Sequence, residues 1–213
     1  MMIKMLKDRV KVSVKWFLPF YLFAFLPLLT SCSESDDEAF DSADWKRRNE
    51  EYFQKAYNSH IPTTATAFVL PNWSQPSSMS LSDIDYMNCI VVDVLERGEG
   101  TTCPYYTDSV QVHYSGRLIP TDDYPAGYEF DRSWLTVFDP DVDMPATFAV
   151  NGVKAGFSTA VQHMHRGDHW RVTIPYQLGY GTTVASLIPA YSTLIFDIRL
   201  VDFWFEKEGD REE

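Results

Sequence analysis

The sequence predicts an α+β fold in which one helix lies on an antiparallel sheet, and two patterns carry that expectation. Apolar residues alternate at Val110, Val112 and Tyr114 and again at Leu194, Phe196, Ile198 and Leu200, with Ile195, Asp197 and Arg199 left for the opposite face. Runs of period two with one apolar face are half-buried antiparallel strands. Between them Val153, Phe157, Val161 and Met164 follow at steps of four, four and three, which places a three-turn amphipathic helix on one face of that sheet.

The N-terminus has a different chemistry. Lys4, Lys7, Arg9, Lys11 and Lys15 stand against a single Asp8, and the 14 residues from Trp16 to Leu29 carry no charge. That apolar run is interrupted by Pro19 and Pro27 and falls short of the roughly 20 residues that span a bilayer, so residues 1–31 read as a removable signal peptide rather than a retained anchor. The run ends in Leu29-Thr30-Ser31-Cys32, which resembles the lipobox of bacterial lipoproteins. The resemblance implies that the Cys32 thiol is lipidated and becomes the new N-terminus, attaching the protein to a membrane without embedding it. Residues 32–41 then form an acidic tether, and Ser33 to Glu38 is open to two readings: a solvated spacer, or a signal for the cell surface. Either implies an outer-membrane lipoprotein of the cell envelope, on its periplasmic or its external face.

Removal of residues 1–31 takes away five basic residues and one acid and moves the formal net charge from −12 to −16, which argues against nucleic acid as a partner. Cys89 and Cys103 remain, without CxxC or zinc-ligand spacing. In an oxidising compartment they are a candidate disulfide or two free thiols.

Residues 42–82 are expected to be a helix and a linker. Trp45, Asn49, Tyr52, Phe53 and Ala56 share one helical face between Ser42 and Asn58, with Ser42 or Asp44 as the cap. That short apolar stripe suits docking on the following domain, or self-association. His60 to Ser82 is rich in Pro, Ser and Thr and reads as a lead-in with a short strand near Phe68, which puts the domain boundary near residue 82. Further strands are expected at 87–96, 110–118, 170–174 and 192–203, in a domain of residues 83–206, and 207–213 is a charged tail.

Five segments in that domain must be read together: Asp108 to Gly116 (DSVQVHYSG), Phe130-Asp131, Gly167 to Pro175 (GDHWRVTIP), Leu178 to Gly181 (LGYG) and Ile188 to Asp197 (IPAYSTLIFD). In order and spacing they resemble the FKBP-type peptidyl-prolyl cis-trans isomerases. The resemblance covers residues 84–205 and implies a twisted antiparallel sheet wrapped around one short helix, in agreement with the periodicities above. It also implies no cofactor, no metal, and X-Pro-containing polypeptides as substrates. The oligomeric state is left open.

Carried over by motif, Tyr114, Phe130 and Phe196 line a proline pocket with Phe157 as its floor, and Phe148 completes a wall. Val153 and Ile188 add aliphatic surface, Tyr180 offers its hydroxyl to a substrate carbonyl, Asp131 sits at the rim, and the backbone N–H of Lys154 meets another carbonyl. The sequence departs from the family at Phe157, where tryptophan is usual, at Lys154, where an aliphatic residue is common, in a slightly short loop before Ile188, and in the long stretch Arg132 to Thr147. The long stretch is open to folding over the pocket or recognising a partner, and the departures leave a second reading, a module or chaperone that binds proline segments with little or no turnover. His163, His165 and His169 lack an acidic or thiol ligand at suitable spacing for a metal site, and Gly156 to Ala160 only approximates a nucleophile elbow.

Overall fold

A computed structural model of the chain describes residues 41–205. The expected signal peptide, the Cys32 lipidation site, most of the acidic tether and the charged tail lie outside the described residues.

Helix α1, Ser42–Ser59, starts where Asp41 caps it: the carboxylate accepts from the N–H groups of Ala43 and Asp44 at 2.9 and 3.2 Å. The cap is therefore one residue ahead of the expected Ser42, because the helix already includes Ser42. Trp45, Asn49 and Phe53 are its buried residues, and they dock it on the domain. The Trp45 indole donates to Ser192 Oγ at 3.1 Å, and the Asn49 side chain accepts from the Thr193 N–H at 2.7 Å while donating to the Trp45 carbonyl at 2.7 Å.

Seven strands follow: β1 Ala67–Pro71, β2 Cys89–Glu96, β3 Asp108–Leu118, β4 Glu129–Arg132, β5 Ala146–Ala149, β6 His169–Ile174 and β7 Leu194–Phe205. They form one antiparallel sheet in the order β1-β2-β6-β7-β3-β4, and β5 pairs with β3 beyond the end of β4. The linker expected before residue 82 thus contains an edge strand, and α1, β1 and the remaining strands belong to one compact unit. Strand β7 continues past the expected end at Phe203, because Trp204 and Phe205 still pair with Ser109 and Asp108.

Helix α2, Ala155–Val161, has two turns where the spacing predicts three. Val153 precedes its N-cap Lys154 and Met164 follows its last turn, yet Phe157, Ala160, Val161 and Met164 all enter one core with Val110, Val112 and Ile198. Strand β2 shows why it reads as a continuous apolar run. Ile90 and Val92 face the core that holds α2, whereas Cys89 and Val91 face a second cluster with Phe53, Val69 and Met87. Successive strand residues point to opposite faces, so α2 covers one side of β2 and α1 the other.

Both cysteines are free thiols, which decides against the disulfide. Cys89 is sealed in the second cluster, where burial and then Asp85 push its thiol up to about 11, and Cys103 lies on the loop before β3.

Asn49 completes three buried polar contacts for one helix turn. Asn49→Ala leaves the buried Thr193 N–H without its acceptor and is expected to cost about 1–3 kcal/mol. A urea midpoint lowered in a single transition, with an unchanged slope, is the expected observation.

Candidate active site

Strand β3 supplies the back of the site. Its period-two face carries Val112, Tyr114 and Gly116, and the ladder with β7 sets Tyr114 opposite Ile198 and Gly116 opposite Phe196. On the other edge of β3, β4 places Asp131 opposite Gly116 and Glu129 opposite Arg117. One β3 step therefore answers two β4 steps, and Phe130 is the extra residue of a β-bulge. The bulge lets Asp131 face the space in front of β3 while the Phe130 ring packs behind it against Phe196.

The space is a cavity of about 240 Å³. Phe157 is its floor, 5 % exposed, and three rings meet it edge to face: Phe196 at 5.3 Å, Tyr114 at 6.1 Å and Phe148 at 6.2 Å between centroids. Edge-to-face contacts lock rings whose positive edges meet negative faces. Phe148 is placed by β5, in register with Val110, and lines the cavity.

Phe130 stands behind the cavity rather than in its lining. Its ring meets Phe196 edge to face at 5.7 Å and so buttresses that wall. A Cβ on Gly116 would lie 2.6 to 2.7 Å from ring atoms of Phe130 and Phe196. Only glycine allows both rings to rest on β3 at that position.

The polar groups sit at the rim. The Tyr114 hydroxyl donates to Asp131 Oδ2 at 2.7 Å, and the other carboxylate oxygen accepts from the Arg132 N–H at 2.9 Å. Burial first, and then this bond to Asp131, raise the Tyr114 pKa well above the phenol range. Burial also raises that of Tyr180, whose ring lines the cavity mouth. Lys154 precedes α2, and its ammonium lies 4.6 Å over the Tyr180 ring, a cation–π contact. Val153 completes the rim beside it.

Of the residues expected here, Ile188 is elsewhere. It exchanges two hydrogen bonds of 2.9 Å with Ala185, and this closed turn directs its side chain into the core, 4 % exposed. Three lining residues were not anticipated: Gly152, Ile174 and Leu194. Ile174 and Leu194 are register partners where β6 and β7 begin to pair, and the period-two pattern through Phe196 was a signal for Leu194. Among the described residues no three His, Cys, Asp or Glu side chains are grouped to hold a metal ion.

Residues 100–201 match the family model of the FKBP-type peptidyl-prolyl cis-trans isomerases. The macrophage infectivity potentiator of Trypanosoma cruzi is 32% identical over 159 residues, covering 74% of this chain and 71% of that protein. The chain belongs to the FKBP-type peptidyl-prolyl cis-trans isomerases. The FKBP-type 22 kDa peptidyl-prolyl cis-trans isomerase of Escherichia coli is 40% identical over 112 residues, 51% of this chain but only 47% of that relative. The crystal structure of FkpA from Escherichia coli superposes with a TM-score of 0.53 at 28% identity, over 76% of this chain and 61% of that one. The FKBP match spans β3 through most of β7 and so contains every residue that lines the cavity.

Gly116 gives this FKBP site a test of its geometry. Gly116→Ala displaces Phe196 or Phe130, and kcat/KM on a prolyl tetrapeptide is expected to fall about tenfold or more while the far-ultraviolet spectrum stays native.

Proposed function

We propose that this protein accelerates X-Pro isomerisation during folding of exported or surface proteins, with the cavity over Phe157 as its catalytic pocket. The observation that carries the reading is an open cavity of about 240 Å³ whose floor and walls are the interlocked rings of Phe157, Tyr114, Phe148 and Phe196, with polar groups at the rim. Rotation about a prolyl amide meets a barrier of about 18–20 kcal/mol because resonance is lost at the twisted geometry. A dry aromatic pocket suits the twisted amide better than either planar form, since its carbonyl has lost resonance polarity and requires less solvation.

In this reading Tyr114, Phe157 and Phe196 surround the prolyl ring, Phe148 and Val153 flank it, and Phe130 holds Phe196 in place. The Tyr180 hydroxyl donates to a substrate carbonyl, and the Lys154 N–H to another. Asp131 fixes the Tyr114 ring through its hydrogen bond and presents its carboxylate at the rim. Cys32 anchors the protein by lipid to the envelope membrane, so the pocket works on chains that have crossed the inner membrane.

Phe157 in place of tryptophan, and the Lys154 ammonium over Tyr180, favour the second reading, a module that holds proline segments with weak turnover. Proline-limited refolding separates the two. The wild type is expected to accelerate the slow phase, and Tyr180→Phe and Phe130→Ala to lose most of that effect. A well-folded protein without acceleration supports the binding module. A large gain in Phe157→Trp supports the weak-turnover form of that reading.

No histidine or cysteine lines the cavity, and the phenols of Tyr114 and Tyr180 have raised pKa values. A raised phenol stays protonated beyond its unfolded value near 10, so its contribution is complete at lower pH and is lost only as pH rises through the folded value. Catalysed isomerisation is expected to be flat between about pH 6 and 9. A bell-shaped profile there would point to a titrating catalytic group outside this set.

A further inference from the structure

We infer that the loop joining β4 to β5 is a docking surface for unfolded, apolar polypeptide on the side of a proline seated in the cavity. The inference rests on the isomerase reading above and adds the class of client.

The loop leaves the sheet after Arg132, the neighbour of Asp131, and rejoins it at Ala146, two residues before Phe148, so both of its stems lead directly into residues that line the cavity. Its first turn is tied to the pocket as well. The Ser133 N–H donates to the Tyr114 carbonyl at 3.0 Å, and the Tyr114 N–H donates to Ser133 Oγ at 3.1 Å. A chain that extends from a prolyl ring on this side meets the loop next.

Two sets of side chains divide the loop. Trp134 and Phe138 stack with centroids 4.9 Å apart, and Phe138 packs on His113 at 4.9 Å and under the Arg199 guanidinium at 5.7 Å. That inner set fixes the loop on the sheet. Leu135, Val137, Val142 and Met144 face solvent, 90, 86, 76 and 83 % exposed. Single exposed apolar residues are ordinary, but four on one short loop beside a pocket form a patch, and such patches mark interaction sites.

The charges select the occupant. Asp139, Asp141 and Asp143 lie within the loop, and Asp139 and Asp143 accept backbone N–H groups of a closed turn at 3.0 and 2.8 Å. These carboxylates, on a chain of net charge −12, oppose anionic lipid headgroups and a second copy of the same loop. They suit an apolar polypeptide whose own charges are neutral or basic.

The triple variant Leu135→Ser, Val137→Ser, Met144→Ser alters side chains with little packing to lose, so it is expected to fold as the wild type does. Two substrates are compared, a prolyl tetrapeptide too short to reach the loop and reduced, carboxymethylated ribonuclease T1. The variant is expected to keep the tetrapeptide kcat/KM while its KM for the ribonuclease, and its binding of the fluorescently labelled unfolded chain, each weaken about tenfold. Equal kinetics and binding on both proteins overturn the proposal. Equal losses on both substrates also overturn it, since the loop then acts through the pocket. If the wild type turns over neither substrate, the isomerase reading fails and binding of the labelled chain decides the surface alone: weakened in the variant it stands, unchanged it falls. A dimer seen by sedimentation and abolished in the variant, with chain binding intact, assigns the patch to a second copy and overturns the proposal.

Discussion

One rung of the sheet, Phe196 on β7 opposite Gly116 on β3 opposite Asp131 on β4, is the constraint on which the cavity depends. Directly paired residues in a sheet project from the same face, so the rung sets an aromatic wall and a rim carboxylate either side of a residue with no side chain. The space above Gly116 is what the Phe130 and Phe196 rings fill. Two residues earlier on the same face, Tyr114 reaches across to Asp131. The bulge at Phe130 belongs to the same arrangement, because it brings Asp131 opposite Gly116 while the Phe130 ring packs on Phe196.

The parts of the fold legible in the sequence are those whose burial is one-sided. Strands β3 and β7 show period-two alternation because one face meets the core, and Asp197 and Arg199 mark the other. Strand β2 is buried on both faces, so it reads as an apolar run whose length had to decide its type. Strands β4 and β5 have four residues each and no fully buried position, so neither leaves a pattern; they exist because the edge of β3 offers them partners. Helix α2 looked longer than it is because Val153 and Met164 reach the core's rim and interior from non-helical backbone, at separations that also fit a helix.

The site was legible in a different way. Tyr114, Phe157 and Phe196 came from motif resemblance, since an aromatic on a buried sheet face carries no local sign that it lines a cavity rather than fills a core. Ile188 illustrates that limit: the motif places it near the pocket, while a closed turn with Ala185 sends its side chain inward. Ile174 and Leu194 illustrate the converse. Each reads as plain core, and only the pairing of β6 with β7 brings them to the cavity. Gly116 ends the segment Asp108 to Gly116 that carries the resemblance, but its role depends on two rings from other strands.

A pocket of this size also limits what it can recognise. About 240 Å³ is space for one small ring and the atoms next to it, and aromatic walls distinguish little beyond apolar shape. Discrimination among clients must therefore come from surfaces that touch the chain beyond the proline. Helix α1 is a poor source, because its apolar face is spent on Ser192, Thr193 and both core clusters. The loop leaving the β4 bulge is better placed: its inner aromatics are satisfied on His113 and Arg199, and its outer apolar side chains have no partner within the described fold. The bulge that sets Asp131 opposite Gly116 thereby also sets where the loop stem leaves the sheet, beside the cavity.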